Sequence, residues 1–214
     1  MNTGSGSRYS ARRFRLAFVA AGVFTCLSLA QAAPVDIIAH RGGFIIYPEN
    51  TCVAFSSCSG YVDQIELDVR VAADGELVLM HDATVNRTTT GFGAATNVAD
   101  MTLAQLKELD AGSKFSPRFS GERIPTLAEG LRALPPGVKA MLHRKTGSPQ
   151  AILDVLRAEN AISNTLVCCD TYQFLLDLQK LEPSIRLCGI GSSGITQKSL
   201  TWFKANGFSS VSWE

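Results

Sequence analysis

An α/β fold built on a mainly parallel sheet is what this sequence predicts, and three observations carry the reading. Short apolar strands alternate with helical patterns from residue 35 onward, which argues for an open doubly wound sheet or a barrel. No G-x-G-x-x-G or Walker pattern follows any predicted strand, which weakens the nucleotide-binding alternatives. Seven candidate strands are one short of an eight-stranded barrel, and residues 33–214 fall well below the ~250 residues typical of that fold. The expected architecture is a TIM-type (β/α) barrel, incomplete at about seven of eight strands, with unpaired edges on the first and the seventh.

The first segment is set apart by its composition. Arg8, Arg12, Arg13 and Arg15 precede an uncharged apolar run over residues 16–29 and an Ala30-Gln31-Ala32 cleavage pattern. That run is shorter than the ~20 residues of a spanning helix, so residues 1–32 are expected to be a secretory signal and residues 33–214 one soluble barrel domain. The expected destination is export, to a periplasm or the outside, with no stable membrane span once the signal is removed. Loss of those arginines leaves a slight acidic excess and no basic stripe, so nucleic acid is not an expected partner.

Taken in order, residues 35–39 form an apolar run that reads as a buried first strand, with His40 and Arg41 where it gives way to a loop. Asn50 is placed to cap a helix over 51–57, bringing free backbone N–H groups beside that loop and outlining an anion-handling site. Residues 64–69 read as the second strand and 77–80 as the third. Asp74-Gly75 between them is a turn signal that tips part of this region into a hairpin. Residues 86–125 are poor in strands, and their Thr- and Gly-rich start suits a loop over a strand end, although 103–109 is helical in pattern. Further strands are expected at 138–142, 165–168, 185–188 and 209–213. Helices are expected at 127–134, 149–159, 172–181 and 197–206.

Cys52, Cys58, Cys168, Cys169 and Cys188 remain after signal removal, an odd number. Cys52 with Cys58, or Cys169 with Cys188, has the chance to pair, but no pair has C-x-x-C spacing, and buried structural thiols are the default.

His40, His81 and His143 are the three histidines of the chain, and each falls at the C-terminal end of a predicted strand. Parallel barrels build active sites on that face. Glu66 and Asp68, two apart in Ile-Glu-Leu-Asp-Val, project from one face of a strand. Facing inward, two unpaired carboxylates would be costly without a cation. With Glu49 they offer three acidic oxygen donors, suited to a hard divalent ion such as Ca²⁺ or Mg²⁺. Two histidines would then supply proton transfer, and Arg41 would hold a phosphoryl oxygen.

His40-Arg41-Gly42, Pro48-Glu49-Asn50-Thr51, Glu66-Leu67-Asp68 and the run from His81-Asp82 to Arg87-Thr88-Thr89, with Ile124-Pro125-Thr126-Leu127-Ala128-Glu129, form an ordered set. This set closely resembles the glycerophosphodiester phosphodiesterase family. The resemblance implies a metal-dependent barrel that cleaves small-molecule glycerophosphodiesters to sn-glycerol 3-phosphate and an alcohol. It implies His40 and His81 as general acid and base, Arg41 and Lys145 as phosphate contacts, and Glu49, Glu66 and Asp68 as metal ligands. Where the family carries Glu-x-Lys, this chain reads His143-Arg144-Lys145, so His143 is a further candidate ligand, and weaker Ca²⁺ or Mg²⁺ affinity or a shift toward a softer metal is expected. The family's further helix and strand are absent from this sequence, and a C-terminally truncated member is expected. The alternative is a catalytically degenerate barrel fragment that binds phosphorylated glycerol compounds; lysophospholipids or sphingolipids are a third substrate class.

Overall fold

The computed structural model describes residues 35–94, 96–191, 194 and 196–213. The expected export signal at 1–32 lies outside the described residues. Strand β1 (Ile38–Ala39) leads through a tight turn at His40–Gly42 to α1 (Cys52–Ser56), then β2 (Gln64–Val71), β3 (Leu77–Leu79), α2 (Leu103–Glu108) and α3 (Leu127–Arg132). Strands β4 (Lys139–Arg144), β5 (Thr165–Cys169), β6 (Arg186–Gly191) and β7 (Ser210–Trp213) follow, separated by α4 (Pro149–Ala158), α5 (Tyr172–Leu181) and α6 (Gln197–Ala205).

All seven strands join one sheet in the order β1-β2-β4-β5-β6-β7, with β3 attached to β2 off that path. The six strands on the path are parallel to their neighbours, as βα repetition requires. The expected count of seven therefore holds for the sheet, while the run of barrel staves numbers six. Strand β3 is the exception because the turn at Asp74-Gly75, with Gly75 at φ +89°, folds the chain straight back onto β2 in antiparallel register. Among the described residues β1 and β7 are not paired with each other, so the ring is open between them.

The main core lies between the sheet and its covering helices. Ile65, Leu67, Leu142, Val167 and Leu187 point outward from the strands onto Phe55, Leu127, Ile152, Leu156 and Leu175, all fully buried. Alternation then sends Glu66, Asp68, Met141, His143, Cys168 and Cys188 to the opposite face. Residues 86–125 carry no named strand among the described residues and hold the expected helix at Leu103–Glu108; they also fold around a second cluster of Val85, Val98, Met101, Leu106 and Ile124 packed against Val78 and Met80. Thr102 and Thr126 each start a helix with a reciprocal capping box, to Gln105 and Glu129, which is why both short helices begin where they do.

One local expectation changes and another holds. The cap of α1 is Thr51, whose Oγ1 accepts from Ala54 N, while Asn50 sits one residue outside in a left-handed conformation and serves β2 instead. All five cysteines of the described residues are free thiols, Cys58 bonding the Ala54 and Gly42 carbonyls and Cys168 the Leu142 carbonyl.

Candidate active site

Register decides the centre of the site. Asp68 stands opposite His143 on β4, and His143 opposite Cys168 on β5, so one row across the sheet carries carboxylate, imidazole and thiol. Glu66, two residues earlier on β2, lies on the same face. His143 Nδ1 is 3.5 Å from Glu66 Oε1 and 3.4 Å from Asp68 Oδ1. Lys145 Nζ approaches Asp68 Oδ1 to 3.2 Å and His143 Nδ1 to 3.1 Å.

The loop after β1 closes over this row. Arg41 N–H donates to Glu66 Oε2 at 2.8 Å, Arg41 Nε lies 3.5 Å from Asp68 Oδ2, and His40 Nε2 is 4.0 Å from Glu66 Oε2. Gly42 makes the approach feasible: a Cβ there would sit 2.8 Å from the Phe55 ring and 2.9 Å from Ala54 Cβ. Asn50 straps the loop to β2, its amide N–H donating to Asp68 Oδ2 at 2.9 Å while its Oδ1 accepts from Asp68 N–H at 3.1 Å. Nothing in the sequence reading gave Asn50 that task; its place between Glu49 and the cap Thr51 was the available signal.

His81 arrives by a different route from the other two histidines. It follows antiparallel β3, not the C-terminal end of a barrel stave, and reaches the site because the hairpin brings β3 back down along β2. Met80 N–H donates to Asp68 O, and the Arg70 guanidinium grips His81 O at 3.0 and 2.8 Å. Its Nδ1 lies 2.7 Å from Asp82 Oδ1.

Electrostatics follow from this crowding. Burial alone would raise the Asp68 carboxyl, but the His143 imidazole, the Asn50 amide and the Lys145 charge outweigh it and hold the group well below the usual carboxylate range. Burial works to lower His143, yet the carboxylates of Asp68 and Glu66 win and raise it. Asp82 is drawn down to about 2, chiefly by hydrogen bonds from Arg87. Glu66 Oε1 and Asp68 Oδ1 are buried without a hydrogen-bond partner among the described residues, so the contacts to His143 and Lys145 are charge contacts lacking hydrogen-bond geometry.

Glu66, Asp68 and His143 offer two carboxylate oxygens and a ring nitrogen, all within 4.8 Å of one another. Two orphaned buried oxygens beside an imidazole are a donor set that fits a divalent cation. Glu49 stands apart from them, with both oxygens held at 2.7 Å by Arg87. A cavity of about 260 Å³ opens on the same face, lined by Ile38, His40, Glu66, Met141, His143 and Cys168 among others.

Residues 40–175 match the Glycerophosphoryl diester phosphodiesterase family. The chain belongs to this family of phosphodiesterases. It is 35% identical over 167 residues to a glycerophosphodiester phosphodiesterase of Caldanaerobacter subterraneus, covering 72% of this chain and 68% of that one. It is 39% identical over 121 residues to a Bacillus subtilis glycerophosphodiester phosphodiesterase, covering 52% of this chain and 40% of the relative. Among solved structures, an Oleispira antarctica phosphodiesterase in complex with the product sn-glycerol-3-phosphate superposes with a TM-score of 0.75 at 27% identity, covering 84% of this chain and 74% of that one. The matched family segment contains His40, Arg41, Glu49, Glu66, Asp68, His81, His143 and Lys145, so every candidate site residue read from the sequence lies inside it.

Proposed function

We propose that this chain hydrolyses glycerophosphodiesters to sn-glycerol 3-phosphate and an alcohol, with a divalent metal held by Glu66, Asp68 and His143. The observation that carries the reading is the pair of buried, unpartnered oxygens, Glu66 Oε1 and Asp68 Oδ1, set among His40, Arg41, His143 and Lys145 in a family of phosphodiesterases. The bound metal would supply charge neutralisation at a phosphoryl oxygen. Arg41 and Lys145 bind and orient the phosphate. His40 and His81 share proton transfer, one to the leaving oxygen and one from the attacking hydroxyl. Because His143 contributes a neutral nitrogen where a carboxylate would add charge, the site binds hard cations such as Ca²⁺ or Mg²⁺ more weakly or shifts toward a softer metal such as Zn²⁺. Export, directed by residues 1–32, completes the reading.

The test is release of sn-glycerol 3-phosphate from glycerophosphocholine by the purified chain with chelator, Ca²⁺, Mg²⁺ or Mn²⁺, beside His40→Ala. Metal-dependent turnover lost in His40→Ala is expected; absence of turnover by a folded protein would move the weight to a binding module. Metal affinity is read separately by calorimetry. Glu66→Gln and Asp68→Asn are expected to lose binding by at least tenfold and Glu49→Gln to leave it within about twofold, on the scale of ligand and outer-partner losses.

A further inference from the structure

We propose that Arg87 is a positioning residue that locks the two proton-transfer loops of the site to one another, and that Glu49 is its anchor. Arg87 uses three nitrogens. Nη1 and Nη2 fork onto Glu49 Oε2 and Oε1, each at 2.7 Å, and Nε and Nη2 fork onto Asp82 Oδ2 and Oδ1 at 2.7 and 3.0 Å. Glu49 belongs to the loop that begins at His40, and its Oε1 also meets Arg41 Nη1 at 3.4 Å. Asp82 belongs to the loop that begins at His81, and its Oδ1 lies 2.7 Å from His81 Nδ1. An unbroken alternation of charge, Arg41–Glu49–Arg87–Asp82–His81, thus runs from the phosphate-binding loop to the second histidine.

The chemistry of the chain sets a direction. With Arg87 donating to both Asp82 oxygens, the carboxylate is ionised and acts as an acceptor only, so the proton between it and the imidazole resides on His81 Nδ1. That tautomer leaves the lone pair on Nε2, the atom needed for proton transfer. A planar guanidinium holds two carboxylates in fixed orientation, which an ammonium cannot do. Arg87 is 47% exposed while its partner Glu49 is only 9% exposed, so the fork keeps a largely buried carboxylate paired as well as aligned. The tautomer of His81 separates the alignment from this structural part. The same grip keeps Glu49 out of the Glu66–Asp68–His143 group.

This inference rests on the phosphodiesterase reading above for its kinetic consequence, but not for its structural one. The experiment uses the full chain with selectively ¹⁵N-labelled histidine, whose three residues are resolved by substitution. At fixed neutral pH, His81 is expected to carry its proton on Nδ1 in the wild type and to become a mixture of tautomers in Arg87→Met and Asp82→Asn. In parallel, kcat for glycerophosphocholine is expected to fall about 10²-fold in Arg87→Met with KM changed by less than about threefold, the scale of a misplaced catalytic group. Arg87→Lys, which keeps charge without the fork, is expected to recover only part of the loss. An unchanged His81 tautomer in Arg87→Met would overturn the proposal, as would kcat within about threefold of wild type. If Arg87→Met does not fold, Arg87→Lys and Glu49→Gln are read by the same two criteria. Lack of turnover by the wild type would sink the phosphodiesterase reading, with the tautomer still deciding the clamp.

Discussion

Arg41 and Asn50 hold left-handed backbone conformations, φ +51° and +55°, that non-glycine residues adopt at a cost of about 1–2 kcal/mol each. Each is fixed from both sides. Arg41 N–H is bonded to Glu66, and Asn50 N–H donates to Arg41 O at 3.1 Å, so the two strained residues secure one another. Strain stored beside the buried carboxylates fits a pre-set site. Asp110 shows the same economy at a structural position. Its Oδ1 accepts from the backbone N–H groups of Ser113 and Gly112, its Oδ2 from Gly121 N–H and the Ser120 hydroxyl. The backbone N–H bonds from Ser113, Gly121 and Gly112, Ser113 foremost, depress its carboxyl far below the ordinary 3.8. A depressed folded-state value means that the stabilisation is complete above about pH 4 and fades as pH falls below it. Asp110→Asn is therefore expected to lower the melting temperature at pH 7, with the difference from wild type shrinking as the pH is taken toward 2. A melting-temperature gap independent of pH would argue against this account.

At the scale of elements, the strap between the His40 loop and β2 matters more than either alone. The strap is one side chain, Asn50, 3% exposed and bonded to both the amide and the carboxylate of Asp68. Removing it leaves a fully buried Asp68 N–H and an ionised oxygen short of partners. Asn50→Ala is expected to cost about 2–3 kcal/mol of unfolding free energy by denaturant titration. Asn50→Asp is expected to be worse, because it sets a second carboxylate against Asp68. Equal stability of the two variants would show that the amide dipole is not what the position requires. The β2–β3 hairpin makes the complementary contribution, delivering His81 where no parallel stave could.

At the scale of the whole sheet, β1 and β7 are its two outer strands among the described residues. At the β1 edge Ile38, and Ile37 just before the strand, are 43% and 57% exposed, and β7 lies on the other side. Unpaired edges with apolar side chains recruit further strands. The purified chain is expected to self-associate with rising concentration in sedimentation velocity, and Ile38→Lys to shift it toward monomer. A concentration-independent monomer would mean that the edges are protected in solution.

The sequence by itself determined the element order, the parallel βα repetition and the candidates for the site. Those are local signals: apolar runs, caps, an Asp-Gly turn, and alternation that puts Glu66 and Asp68 on one face. Identities such as His143 in place of an acidic residue were also visible in the letters, and with them the softer donor set. Tertiary structure alone decided which carboxylate joins the imidazole. Glu49 and Asp68 are alike as residue types, yet Asp68 meets His143 through the β2–β4 register while Glu49 is taken by Arg87 from a loop 38 residues away. It also decided that Asn50 serves β2. Pairing of distant segments is set by strand register and packed loops, and no local pattern of residues encodes which of several equivalent partners lies within reach.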